Sequence, residues 1–347
     1  MFMPRELTYS QAILEATDQC MAEDNSIILI GEGVKDANGI FGTTKDLHKK
    51  YPERVFESPL SENGVTGFCI GAAISGLRPI MVHQRIDFSL LSLDQIVNNA
   101  AKWYYTFGQS VPIVIRMIVG RGWGQGPTHS QALHNLFAAI PGLKVVMPTS
   151  AHNAKGLMIS AIKDNNPVIF IEHRWLHNIK DEVPEEPYEL PLDKARLLRQ
   201  GEDVTVVGFS YANIDALQAH DLLSTLSVYA EVIDAVSAAP LDIDTIVESV
   251  KKTGRLVVAD IGHTVGSIGG EVVRQIIERE FKYLKSAPIV IGSKNYPQPT
   301  SHYLTQDYYV DKYDIVNACL RSVGYPEISK IPRELHDVPD SSFTGPF

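Results

Sequence analysis

VPIVIRMIV (111–119), followed by GRGWGQGPT (120–128), is the stretch on which the reading of the fold turns. Nine almost wholly apolar residues end in a glycine-rich loop, the pattern of a strand that a sheet buries on both faces. Working outward, the neighbours alternate between strand-like and helix-like segments. SIILIGEG (26–33), RPIMVHQ (78–84), LKVVMP (143–148) and PVIFIE (167–172) read as strands. Thr8 before SQAILEATDQCM reads as the cap of a helix, and NGVTGFCIGAAISGL after Glu62 has helical spacing but is rich in Gly and Ala. Such small side chains let another backbone or a ligand come close. Phe88 to Phe107 reads as one long helix, another starts near His129, and a third spans about 151–163.

The alternation stops in the proline-bearing, acidic stretch HNIKDEVPEEPYELPLDKA, and 186–202 is read as an interdomain linker. It resumes with DVTVVGF, a helix near 211–225, YAEVIDA, a helix near 243–252, RLVVAD, a helix from about 268, APIVIG and a helix near 311–323. Strands separated by helices of this length imply crossovers and mainly parallel sheets. The expectation is an α/β chain of two tandem domains, 1–185 and 203–347.

Composition narrows the function. The 347 residues are 44% hydrophobic and 21% charged, and 31 basic against 41 acidic residues give a net charge of -10. An acidic balance argues against a nucleic-acid binder, and no apolar run is long enough for a membrane span. The N-terminus lacks an export pattern, and the three cysteines, Cys20, Cys69 and Cys319, are widely spaced without a CxxC pair. A reducing, cytoplasmic setting is expected.

Several familiar signatures fail. GEGVKDANG and GRGWGQG lack the GxxxxGK[ST] of a phosphate-binding loop, and GHTVGSIGGE (262–271) has the wrong glycine spacing for a dinucleotide site, reading instead as a tight strand-to-helix turn. His173 and His177 are four apart without a third metal ligand nearby, so a solvated loop is the simpler reading.

Three segments carry more: SPLSENGVTGFCIGAAISGLRPI (58–80), RIDFSLLSLDQIVNNAAKW (85–103) and GPTHSQALHNLFAAIPGLKVVMPTS (126–150). They closely resemble the beta subunit of the decarboxylating component of 2-oxo acid dehydrogenases, of the pyruvate and branched-chain type. The likeness runs in order through nearly the whole chain. It implies a transketolase-like pyrimidine-binding domain followed by a transketolase C-terminal domain. It also implies thiamine diphosphate, held between this chain and an alpha subunit in an α2β2 heterotetramer. Magnesium would be bound mainly by alpha, whose GDG motif is absent here.

By this resemblance Glu62 is the catalytic glutamate. A carboxylate on the pyrimidine ring nitrogen favours the imino tautomer that deprotonates the thiazolium carbon. Without the motif, Glu62 reads simply as a carboxylate at a helix N-terminus. Phe88 falls where the family stacks an aromatic ring on the pyrimidine, and Gln84 where a glutamine lines the cofactor cleft. His129 matches the histidine near the reactive carbon, able to bond substrate and to pass a proton during acyl transfer. His83 and Arg85 occupy positions where the dehydrogenases usually carry other residues, and are read as shaping a different substrate pocket. Ile113, Ala161, Asp164 and Asn166 match a structural potassium site formed largely by backbone carbonyls.

Three departures stand out: Gly33 in GEGV for the acidic residue of GEDV, Val236 near the place of an arginine, and Thr300 in YPQPTSHYL for a tyrosine. The last two bear on membership of a multienzyme complex with a lipoyl acyltransferase. The leading expectation is decarboxylation of a small-molecule 2-oxo acid with acyl transfer to lipoamide. The alternative is a two-subunit transketolase-like enzyme that passes the fragment to an aldehyde or sugar.

Overall fold

The computed structural model describes residues 5–330, which cluster into two compact units. The first comprises the described residues up to Gly120 with Leu136–Leu192; the second comprises Arg121–Asn135 with the residues from Asp193 onward. The outer ends of the two expected domains, 1–4 and 331–347, lie outside the described residues.

In the first unit six strands run parallel in the order Lys144–Val146, Val168–His173, Val114–Val119, Arg78–His83, Ile27–Gly31 and Val55–Glu57. The central strands are buried along their whole length. Their near-continuous Val and Ile content is what burial on both faces requires. Helices Tyr9–Glu23 and Ala151–Lys163 pack against each other, and helix Glu62–Ile74 packs on strand Arg78–His83. The first helix starts at a capping box: Gln11 N donates to Thr8 Oγ1 at 3.2 Å and Thr8 N to Gln11 Oε1 at 2.9 Å. Glu6–Thr8 and Lys180–Glu182 form a separate antiparallel pair.

The second unit has a sheet ordered Ile289–Ser293, Leu256–His263, Val204–Gly208, Ala230–Asp234 and Arg196–Arg199. Its first four strands are parallel and the last is antiparallel. Four longer helices accompany it, Ala212–Thr225, Ile243–Thr253, Ile268–Glu280 and Lys312–Val323.

Four local expectations need correction. The segment read as one helix from Phe88 to Phe107 is three windings: a 3-10 turn Ile86–Ser92, a π-helical turn Gln95–Ala100 and an α-helix Ala101–Phe107. The Ser89 hydroxyl bonds back to the Ile86 carbonyl, which favours tight winding, and Thr66 Oγ1 pins Ser92 Oγ at 2.9 Å. No helix begins at His129; the helix is His134–Ala138. The glycine and proline before it support only a 3-10 turn, Gly126–Thr128. The stretch 186–202 contains the strand Arg196–Arg199, whose mostly exposed residues give no periodic apolar signal. His173 and His177 do not lie in a solvated loop: both are fully buried, His173 as the last residue of a strand.

Two charges lie within the first sheet. Arg116 and Glu172, both 0% exposed, form a two-pronged ion pair with Nε–Oε1 2.6 Å and Nη2–Oε2 2.9 Å. Burial pushes the Glu172 carboxyl up, but Arg116 and His177 outweigh it and hold the group below its usual range. Breaking such a pair leaves an uncompensated buried charge, at a cost of about 3–5 kcal/mol. Glu172→Gln should therefore lower the unfolding free energy measured in urea by about that amount, and an Arg116→Met/Glu172→Leu double variant should recover most of it. Because the carboxyl is depressed in the folded state, its stabilisation is present above the ordinary carboxylate range. It is lost as pH falls through the lowered value.

Candidate active site

Parallel sheets place their ligands beyond the carboxyl ends of the strands. In the first unit those ends present Gly31 and Glu32, His83 to Arg85, and His173 to Arg174. Gly33 turns the chain at φ +75°, and a Cβ there would meet Gln84 Nε2 at 2.3 Å. The positive φ favours glycine at this position, since left-handed backbone strains a residue with a side chain. Gln84 Nε2 donates to the Glu32 carbonyl at 2.9 Å, fixing the two strand ends together. Glu57 closes the turn from the other side, accepting from Gly33 N and, at 3.0 Å, from Lys35 N.

Glu62 is the first residue of helix Glu62–Ile74 and is half-buried. Among the described residues its carboxylate makes no hydrogen bond or ion pair; only its backbone carbonyl is used, by Thr66 Oγ1 at 2.7 Å. Burial first, then Glu62, then Glu57, raise the pKa of Glu32. A carboxylate with no side-chain partner at a helix start has its oxygens available to bond a ring nitrogen of a ligand. Phe88 is half-buried in the 3-10 turn and offers an aromatic face of the kind that holds a planar heterocycle.

His83 is buried, and its Nε2 meets no hydrogen-bond partner among the described residues. Burial lowers its pKa to about 4, so the ring is neutral at physiological pH. Arg85 is buried nearby in sequence; its Nη1 donates to the Gln84 carbonyl at 3.0 Å and its guanidinium lies 4.9 Å from the Phe41 ring centre. Phe41 itself sits in a run of four residues with positive φ, Gly39 to Gly42. Ile40 at φ +37° is the costly member, since left-handed backbone strains a β-branched residue by roughly 1–3 kcal/mol.

His129 belongs to the second unit. It is half-buried, with Nδ1 3.0 Å from Thr128 Oγ1. Its loop is anchored within that unit: Arg121 Nη2 donates to Val310 O at 2.7 Å, Gln298 Nε2 to Gly122 O at 2.8 Å and Gly124 N to Thr300 O at 2.9 Å. Gly126, at φ +68°, lies so close to Thr300 that a Cβ would meet Oγ1 at 2.5 Å. The segment that departs from the family pattern thus holds the His129 loop, a role that no spacing rule marks. His134 is fully buried, with Nε2 2.8 Å from Asp260 Oδ1.

Ile113, Ala161, Asp164 and Asn166 gather where helix Ala151–Lys163 ends. Asp164 N reaches Ala161 O at 3.3 Å, and Val168 N reaches Ile113 O at 3.0 Å. Arg78 Nη2 donates to Asp164 O at 2.8 Å, and Lys144 pairs with the Asp164 carboxylate. Each of these carbonyls has a second lone pair for a cation, but two cationic side chains compete there. Among the described residues no cluster of three or more His, Cys, Asp or Glu could hold a metal, and no helix is long and apolar enough to cross a membrane.

Residues 5–179 match the family described as transketolase, pyrimidine binding domain, and 193–315 match transketolase, C-terminal domain. The chain is 43% identical over 316 residues to a pyruvate dehydrogenase E1 component subunit beta of Gracilaria tenuistipitata var. liui, covering 90% of this chain and 98% of that protein. It is 41% identical over 331 residues to the acetoin:2,6-dichlorophenolindophenol oxidoreductase subunit beta of Cupriavidus necator, covering 92% and 98%. Among solved structures it resembles a split-gene transketolase recorded as an inactive beta4 tetramer, at TM-score 0.76 and 20% identity, over 92% of this chain and 98% of that one. That last likeness concerns the fold alone.

The neutral state of His83 has a measurable consequence. Between its unfolded value near 6.5 and its folded value of about 4 the unfolded chain binds the extra proton. Stability should therefore fall as pH drops through that window, by up to about 3 kcal/mol. Urea unfolding from pH 7 to 4 should show a shallower loss for His83→Phe than for the natural chain.

Proposed function

Since the chain belongs to the transketolase-like beta subunits of thiamine-diphosphate-dependent 2-oxo acid dehydrogenases, we propose that it builds the decarboxylating site with an alpha subunit in an α2β2 assembly. The acyl product would pass to the lipoyl group of an acyltransferase. The observation that carries this reading is the uncommitted Glu62 carboxylate at the start of a Gly/Ala-rich helix, beside the raised Glu32. Nothing in the relatives favours the alternative of ketol transfer to an aldehyde or sugar.

Thiamine diphosphate, when bound, supplies a carbon nucleophile and an electron sink. This chain's residues would do the rest. Glu62 would hold and return a proton at the pyrimidine nitrogen. Phe88 would cover the ring and exclude water, while Gln84, fixed to the Glu32 carbonyl, would line the cleft. His129 would bond the substrate's carboxylate or carbonyl and return a proton to the departing sulfur. Magnesium would be held by alpha, outside this chain.

Reconstituted with its alpha partner and cofactor, Glu62→Gln should lose at least about 100-fold in 2-oxo acid decarboxylation, the scale of a removed acid–base group. Thiamine diphosphate binding, followed by tryptophan quenching, should persist. Retained turnover would overturn the assignment. Potassium is proposed at the carbonyls of Ile113, Ala161, Asp164 and Asn166. It should raise Tm in KCl over NaCl at equal ionic strength, and equal values would remove it.

A further inference from the structure

The segment Arg121–Asn135, which carries His129, belongs to the second unit, although the chain on both sides of it belongs to the first. From His129 to Leu133 it has no helix or strand of its own. No backbone ladder fixes the imidazole there, so its place depends on how the two ends of the segment are held. At the leading end the holds are those to Gln298, Thr300 and Val310. At the trailing end they are made by His134 and Asn135.

These two residues grip the GHTVGSIGGE turn (262–271) and the strand that leads into it. His134 Nε2 lies 2.8 Å from Asp260 Oδ1, and neither side chain has any exposed surface. The same Oδ1 accepts from Gly262 N at 2.8 Å. A Cβ on Gly262 would lie only 3.0 Å from His134 Cε1 and 3.2 Å from Ala132 O, so the glycine leaves room for the segment to dock. Asn135 Oδ1 accepts from Ile268 N at 2.8 Å, one of the donors that the first turn of helix Ile268–Glu280 leaves over. The strand Leu256–His263 also bulges at this place: Ala259 pairs with Ile291, yet His263 pairs with Ser293. Bulges re-aim side chains beside functional sites, and Asp260 lies within this one.

Packing alone does not explain the pair. His134 Nδ1 and Asp260 Oδ2 are both buried without a hydrogen-bond partner among the described residues. Such atoms are costly to bury, and two apolar side chains would fill the same space without that cost. Apolar contact is non-directional, however, whereas a ring nitrogen facing a carboxylate oxygen sets both distance and orientation.

We propose that His134, seated against Asp260, is a positioning residue that fixes the trailing end of this segment and with it the place and direction of the His129 imidazole. This rests on the decarboxylase reading, in which His129 bonds the substrate and returns a proton to the departing sulfur. His134 is fully buried and acts only through His129.

The test uses the complex with its alpha partner, cofactor and lipoamide, and crosses substitutions at His134 and His129. His134→Phe keeps a ring and removes both nitrogens. It should lower turnover by roughly ten- to a hundredfold, mostly through kcat, the scale of a misplaced catalytic group. In a His129→Ala background the same change should cost less than about twofold, because the group it positions is gone. His134→Gln, whose amide can still reach Asp260, should recover part of the loss. Asp260→Asn carries the same cross where His134→Phe fails to fold, as judged by Tm. Hydrogen–deuterium exchange gives a readout without turnover: amides of 121–135 should exchange faster in His134→Phe, while those of strand Val114–Val119 stay as slow as in the natural chain. An equal loss in both backgrounds, or no loss in either, would overturn the positioning role and leave the decarboxylase reading intact. A natural chain that turns over no 2-oxo acid would overturn that reading instead. In that case faster exchange over 121–135 keeps the hold by His134, and unchanged exchange removes it.

Discussion

The ion pair between Arg116 and Glu172 ties the interior of the first unit to its functional edge. Two charges with no exposed surface, on adjacent parallel strands, are tolerated only because their oxygens and nitrogens are closely matched. Each also reaches outward. Arg116 holds the Thr43 hydroxyl and so the strained turn that carries Phe41. Glu172 lies 3.3 Å from His177, which stacks on Tyr9 and leans on Phe41. A sheet of Val and Ile alone would be as well packed, but nothing in it would fix these loops. The polar pair gives the loops a definite register at the sheet's carboxyl edge.

The same edge explains why the chemistry collects where it does. Strands buried on both faces leave little room for functional side chains along their length, so polar groups gather beyond their ends. Glu32, Gln84, Arg85 and Arg174 all lie there. Glu62 reaches its position differently, at the start of a helix whose small residues let neighbours approach. Gly67 shows this directly, since a Cβ there would lie 3.2 Å from Gln95 Oε1. The cofactor side of the reading depends on the Glu62 carboxylate.

In the second unit the histidine of interest lies in a loop rather than at a strand end. His129 sits in a glycine-rich segment whose backbone is bonded to Gln298 and Thr300 and whose Arg121 side chain reaches the Val310 carbonyl. Its position therefore depends on a stretch more than 160 residues further along the chain, YPQPTSHYL, which departs from the usual family pattern. A substitution such as Thr300 for tyrosine bears on how this loop is held as well as on surfaces facing other proteins.

By itself the sequence determined the α/β class, the parallel sheets and most element positions. Hydrophobic runs of strand length, interrupted by helical spacing, leave few other arrangements. Family likeness in linear motifs also singled out Glu62, Phe88 and His129, because each lies inside a contiguous, ordered segment. Only the tertiary structure decided the rest. Arg116 and Glu172 are 56 residues apart, and no local pattern announces that they pair. Arg174 stood in a segment read as solvated loop, yet it shares Phe41 with Arg85 from a different strand. The break between Ile86 and Phe107 came from hydroxyl and amide bonds that compete with regular winding. Local propensity is written in neighbouring residues, whereas buried charge pairing and ring contacts form between distant ones, after the sheet has set their distance.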